Sequence, residues 1–185
     1  MGKVEIPILS YTEIRRKADE FREKFWGKKQ MPLDIELIVE RDLDIIIDIR
    51  RDLNALFDIR GYINILENKI LVDEYFFESN EELSRFTIAH EIGHMILHSG
   101  IYKIANVSTL EKYNEFRNSI TEVEYSRLEG QANIFAGCLL VPTQILVAEY
   151  NKILKERGDM SKMAIIFKVS KRTLVYRIKK EILDK

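Results

Sequence analysis

The chain has 185 residues, 46% of them hydrophobic and 32% charged, which suits one compact domain with a real core and a solvated surface. Its 3 Pro, 8 Gly and single Cys138 exclude collagen-like or linker-dominated architectures, an internal disulfide framework and any zinc module built on cysteine pairs. The net charge of -1 excludes a polyelectrolyte binder. No apolar run approaches the ~18 residues of a membrane span, and the charged N-terminus does not read as a signal peptide, so a soluble cytoplasmic protein is expected.

Residues 10–26 predict an amphipathic helix, with Ile14, Ala18, Phe21 and Phe25 on one face. After Met31-Pro32, Asp34 is placed to cap a short helix running through Val39. Leu43, Ile45, Ile47 and Ile49 alternate with polar residues and predict an extended segment. Gly61–Ile65 and Lys69–Asp73, separated by Glu67-Asn68, predict a hairpin, so a small, mainly antiparallel sheet is expected. Ser79 and Glu82 form a capping-box pattern ahead of a long apolar helix, and Gly100 stands where its C-terminal left-handed residue belongs. Leu110, Tyr113, Phe116 and Ile120 suggest another helix. A longer one is expected from about Val123 to Val141, stopped by Pro142, with Leu128, Ala132, Phe135 and Leu139 inward. Helices over 143–156, about 161–168 and about 171–183 follow, with a break at Gly158. The expected class is α+β, with a core over residues 1–142 and a helical C-terminal segment over 143–185.

The three histidines, His90, His94 and His98, lie within nine residues of one another. His90-Glu91-x-x-His94 on a helix puts two imidazoles about one turn apart, where both can face one ion. With a third protein ligand and an open position, that is the donor set of a catalytic zinc site. Glu91, next to the first ligand, is placed to take a proton from water during metal-assisted peptide hydrolysis. Gly93 inside the motif costs a helix ~1 kcal/mol relative to Ala, which points to close backbone packing there.

The downstream carboxylates are Glu111, Glu115, Glu122, Glu124 and Glu129. Glu129 fits the third ligand best, since it sits on a helix whose neighbours Leu128, Ala132, Phe135 and Ala136 are apolar. Asn133 lies four residues on, where it can orient a ligand or a ring. His98 is two turns from His90, ~12 Å along the axis, too far to share the ion, and is assigned a supporting or packing role. Cys138 reads as an inert core thiol. Tyr102, Tyr113 and Tyr125 are all available to stabilise an oxyanion.

The blocks RFTIAHEIGHMILH (85–98) and EGQANIFAGCLLVP (129–142) resemble the ImmA/IrrE metallopeptidases. The resemblance implies a zincin-like core, one Zn2+ held by His90, His94 and Glu129, and Glu91 as general base. It also implies a separate helix-turn-helix repressor as protein substrate, cut to relieve repression in a mobile-element, prophage or stress response.

The C-terminal stretch is basic: residues 161–185 hold eight Lys/Arg against Glu181 and Asp184. AIIFKVSKRTLVYRIKK (164–180) resembles a helix-turn-helix, with Ser170 capping its second helix. Lys171, Arg172, Tyr176 and Arg177 are its expected exposed residues, able to grip phosphates or the repressor. The competing functional reading is a non-proteolytic regulator that keeps zinc structurally and binds a repressor or DNA through this tail. An intact HExxH speaks against it, because a scaffold has no use for Glu91.

Overall fold

The computed structural model describes residues 5–27, 30–156, 159 and 161–184. Its first helix, α1 (Tyr11–Phe25), starts at Ser10, whose side chain accepts from the Glu13 N–H while Glu13 accepts from the Ser10 N–H. This reciprocal cap satisfies two otherwise orphaned donors. Ile14, Ala18 and Phe21 are buried. Asp34 caps α2 (Ile35–Leu37), which widens into an i→i+5 turn ending at Asp42. Leu43 closes that turn and Asp44 is left-handed, so strand β1 begins only at Ile46 and runs to Arg50.

β1 is followed by a short helix that the sequence pattern did not suggest, α3 (Leu53–Phe57), flanked by left-handed Asp52 and Asp58. Strands β2 (Gly61–Asn64) and β3 (Lys69–Asp73) form the expected hairpin. The sheet order is β1-β3-β2, and β1 pairs with β3 in parallel, Ile46 opposite Lys69 and Arg50 opposite Asp73. The mainly antiparallel expectation is therefore corrected: the sheet is mixed. The α3 excursion carries the chain past β1, so β2 lands on the far side of β3 instead of folding straight back.

A second unanticipated helix, α4 (Glu74–Ser79), is capped by Asp73. Its presence moves the start of α5 (Glu81–Ile104): Ser79 is spent as the last residue of α4, and Asn80 accepts from the Leu83 N–H instead. Nor does α5 stop at Gly100. Ile101 and Tyr102 are buried, and this apolar contact carries the helix one turn further, until left-handed Asn106 ends it.

Then come α6 (Leu110–Ser119), α7 (Glu122–Leu140) and α8 (Thr143–Lys155). α7 begins with a second capping box, Thr121 with Glu124. α9 (Ser161–Phe167) and α10 (Lys171–Ile178) complete the chain, α10 loosening into a wider turn to Leu183. Ser170 caps α10 as expected, and the predicted break at Gly158 lies outside the described residues. The whole is α+β, mostly helical, with one three-stranded sheet. No single helix among the described residues is long and apolar enough to cross a membrane.

One sequence expectation fails sharply here. Arg177 is fully buried, not exposed. It donates to the Val141 carbonyl, Thr143 Oγ1, Glu181 Oε1 and the Tyr11 hydroxyl. Glu181 also accepts from Tyr11 at 2.6 Å and from Arg15 at 3.0 Å. The cluster ties α1, the end of α7 and α10 together. Burial pushes the Glu181 carboxyl up, but the Tyr11 hydroxyl, Arg177 and Arg15 outweigh it and hold it below its usual range.

Arg177→Met should therefore lower stability by about 2–4 kcal/mol, because it removes the fully buried partner of a buried carboxylate and leaves that carboxylate to Tyr11 and Arg15 alone. A group with a depressed folded-state pKa stabilises above its unfolded value and loses that effect as pH falls through the folded one. The stability gap between the native chain and Glu181→Gln should accordingly shrink as pH drops below the glutamate range. Denaturant titrations at neutral and acidic pH measure both, and a gap independent of pH would contradict the assignment.

Candidate metal centre

α5 runs unbroken through His90 and His94, so the two rings meet edge to face one turn apart, with centroids 4.6 Å apart and Nε2 atoms 2.9 Å apart. α7 crosses directly against them. A Cβ on Gly93 would lie 3.1 Å from both Cα and O of Ala132, so the missing side chain allows the two backbones to approach. That approach brings Glu129 onto the rings: its Oε2 lies 3.3 Å from His90 Nε2 and its Oε1 3.3 Å from His94 Nε2. His90, His94 and Glu129 are the one such group of potential ligands among the described residues. The competing carboxylates lie elsewhere. Glu115 pairs with Lys112, Glu124 serves the α7 cap, and Glu111 and Glu122 face solvent.

These atoms fit a metal ion. Both rings turn Nδ1 outward to partners, Asn133 Oδ1 at 3.0 Å and His98 Nδ1 at 3.1 Å, and aim Nε2 at the carboxylate. Burial pushes the Glu129 carboxyl up, yet the two imidazoles outweigh it and hold it well below the carboxylate range. His90 is pushed down by burial and drawn up further by Glu129 and Glu91. Three acceptors thus converge where a positive charge is required. A tetrahedral ion with ~2.0–2.1 Å arms has ~3.3 Å between neighbouring ligand atoms, the spacing seen here on both sides of Glu129.

The ligand group opens on one side only. His94 is 3% exposed, while the His90 and Glu129 side chains are 13% and 27% exposed and face a cleft of about 420 Å³ that Glu91, Tyr113 and Tyr125 also line. Glu91 is buried, its carboxyl pushed up by desolvation and drawn partly back by the two imidazoles. β2 runs so close that a Cβ on Gly61 would meet Glu91 Oε1 at 3.0 Å and Thr87 Cγ2 at 2.5 Å. Of the three candidate tyrosines, Tyr102 packs edge-on behind His94 at 5.6 Å and lies outside the cleft. Tyr113 and Tyr125 line it, with hydroxyls 3.5 Å apart.

Asn133 and His98 each lie against one of the two rings, Asn133 on His90 and His98 on His94. Burial and the neighbouring His94 hold His98 down to about 4. Gln131, which accepts from His98 at 2.8 Å, escaped the sequence reading. Its signal was a polar residue inside the apolar run Leu128, Ala132, Phe135. Cys138 is buried, its thiol pushed up to about 11 by desolvation, in keeping with an inert core residue.

Comparison with known proteins adds to this geometry. The IrrE N-terminal-like domain (peptidase M78) family model matches residues 69–179, a span that takes in both β3 and the helices bearing the two histidines and Glu129. A Mycobacterium tuberculosis transcriptional regulator shares the fold, with a TM-score of 0.61 at 19% sequence identity, covering 91% of this chain and 46% of that one. The chain thus spans about half the length of that neighbour. Among curated proteins no sequence matches. With more than half of its length matched by one family and a donor cluster on the matched helices, the chain belongs to the IrrE N-terminal-like, peptidase M78 family.

Proposed function

We propose that this chain is a cytoplasmic zinc-dependent endopeptidase that cuts a separate helix-turn-helix repressor at a defined site, relieving repression in a mobile-element, prophage or stress response. The observation that carries the reading is the convergence of His90, His94 and Glu129, with Glu91 beside them, on one open cleft. A zinc ion, when bound, supplies a Lewis acid that polarises a peptide carbonyl and acidifies water. The chain's own groups do the rest. His90, His94 and Glu129 would hold the ion at the wall of the cleft. Glu91, its proton affinity raised by burial, takes a proton from water and passes it to the leaving amine.

The Arg60 carbonyl accepts from the Asp73 N–H, so the strand alternation turns the main chain of Gly61 away from β3 and towards the cleft. An extended substrate can pair along this edge. The Tyr113 and Tyr125 hydroxyls are available to a developing oxyanion. In this reading residues 1–142 form the peptidase core and 143–185 a helix-turn-helix-like appendage. On the appendage Lys171, Arg172 and Tyr176 remain exposed for a repressor or nucleic-acid phosphates, whereas Arg177 does not. A regulatory role is supported by the fold neighbour, which is itself described as a transcriptional regulator.

The test is incubation of the zinc-loaded chain with the product of its genetic neighbour, where that is a helix-turn-helix repressor, followed by mass spectrometry of the products. Discrete fragments that vanish with chelator and return with zinc are expected. A stable complex with no fragments would overturn the peptidase reading in favour of a binding regulator.

A further inference from the structure

A polar chain runs inward from His94 and ends on a backbone atom. His94 Nδ1 lies 3.1 Å from His98 Nδ1, His98 Nε2 lies 2.8 Å from Gln131 Oε1, and Gln131 Nε2 donates to the Pro7 carbonyl at 2.7 Å. His94, His98 and Gln131 are all buried. The segment that supplies the carbonyl is pinned to α7 a second time, by Arg127 donating to the Ile6 carbonyl at 3.2 Å.

The directions of these bonds follow from the last one and from the ligand group. A carbonyl oxygen only accepts, so Gln131 must turn its amide nitrogen to Pro7 and its oxygen to His98. That oxygen also only accepts, so His98 carries a proton on Nε2; the Nδ1–Nδ1 contact needs one donor and one acceptor, and with His94 Nε2 turned to the ligand group the acceptor is a bare His98 Nδ1. His94 must then donate from Nδ1, which leaves its Nε2 lone pair facing His90 and Glu129. The outer ring is held differently, by Asn133, whose side chain is exposed and whose place water can take.

We propose that His98 and Gln131 are positioning residues of the metal centre, a buried relay that fixes His94 in the one tautomer able to accept an ion and anchors it to the segment around Pro7. The opposite tautomer would aim an N–H at the ion. Neither residue touches the ion or a substrate; both act through His94. The inference rests on the reading of His90, His94 and Glu129 as ligands.

The experiment measures zinc affinity of the full chain by competition with a chromophoric chelator, alongside nitrogen-resolved imidazole spectra of His94. His98→Phe, which keeps the ring volume and loses the relay, should weaken zinc binding ~10–100-fold and abolish the single Nδ1–H tautomer of His94. His98→Gln, able to accept at one end and donate at the other, should recover most of the affinity. Gln131→Met should weaken binding more than Asn133→Ala does. Zinc binding at native strength in both His98→Phe and Gln131→Met would overturn the relay. Should His98→Phe fail to fold by circular dichroism, the apo native chain decides: a mixed or Nε2–H tautomer of His94 there equally overturns the proposal. A native chain that binds no zinc would instead sink the ligand assignment itself.

Discussion

Glu129→Ala is expected to abolish stoichiometric zinc binding. Two imidazoles on one helix remain in that variant, but the carboxylate that closes the three-point site is gone, and with it the negative charge that offsets the ion. The loss should exceed the ~10–100-fold that removal of a supporting partner costs. A second readout is linkage. A ligand held only by the folded state stabilises it by ~4 kcal/mol at a thousandfold excess over its dissociation constant, so zinc should raise the melting temperature of the native chain and leave that of the variant unchanged. Metal analysis after dialysis, paired with thermal unfolding with and without zinc, measures both. A variant that retains one zinc per chain would mean that another donor completes the site.

Glu91→Gln is expected to separate binding from chemistry. The amide is close to isosteric with the carboxylate, so the cleft and the ligand group should persist with full zinc content. What the amide cannot do is accept the proton of a water molecule. Loss of a positioned general base typically costs ~10²–10⁴ in rate, and cleavage of the repressor should fall by that order at unchanged zinc occupancy. Undiminished cleavage would remove Glu91 from its role. Because Glu129→Ala loses the ion and Glu91→Gln keeps it, the pair distinguishes an empty site from a loaded one lacking its base.

Much of this site was legible before any fold was known, because it depends on local periodicity. His90, Glu91 and His94 follow from a four-residue spacing on a helix, and a glycine inside that helix announced the close approach that Ala132 makes in space. Glu129 was legible for a different reason: a carboxylate embedded in an apolar helical face needs a compensating charge. Gln131 obeys the same logic with an amide and was missed, since a neutral polar residue in a core face stands out less than a charged one. Arg177 was misjudged outright. As one of eight basic residues in a basic tail it reads as surface, and only the meeting of Tyr11, Glu181 and the Val141 carbonyl makes an interior position tolerable.

The sequence by itself determined the longer helices, the hairpin and the placing of His90, Glu91 and His94 within one turn of one helix, since each is written in spacings of two, three or four residues along one element. The tertiary structure alone decided the parallel pairing of β1 with β3, the extension of α5 beyond Gly100, the burial of Arg177 and the path from His94 through His98 and Gln131 to Pro7. These depend on which distant segments come to lie side by side. In each case the free energy comes from apolar burial or hydrogen bonds between residues far apart in the chain, and no local pattern records which partner will be there.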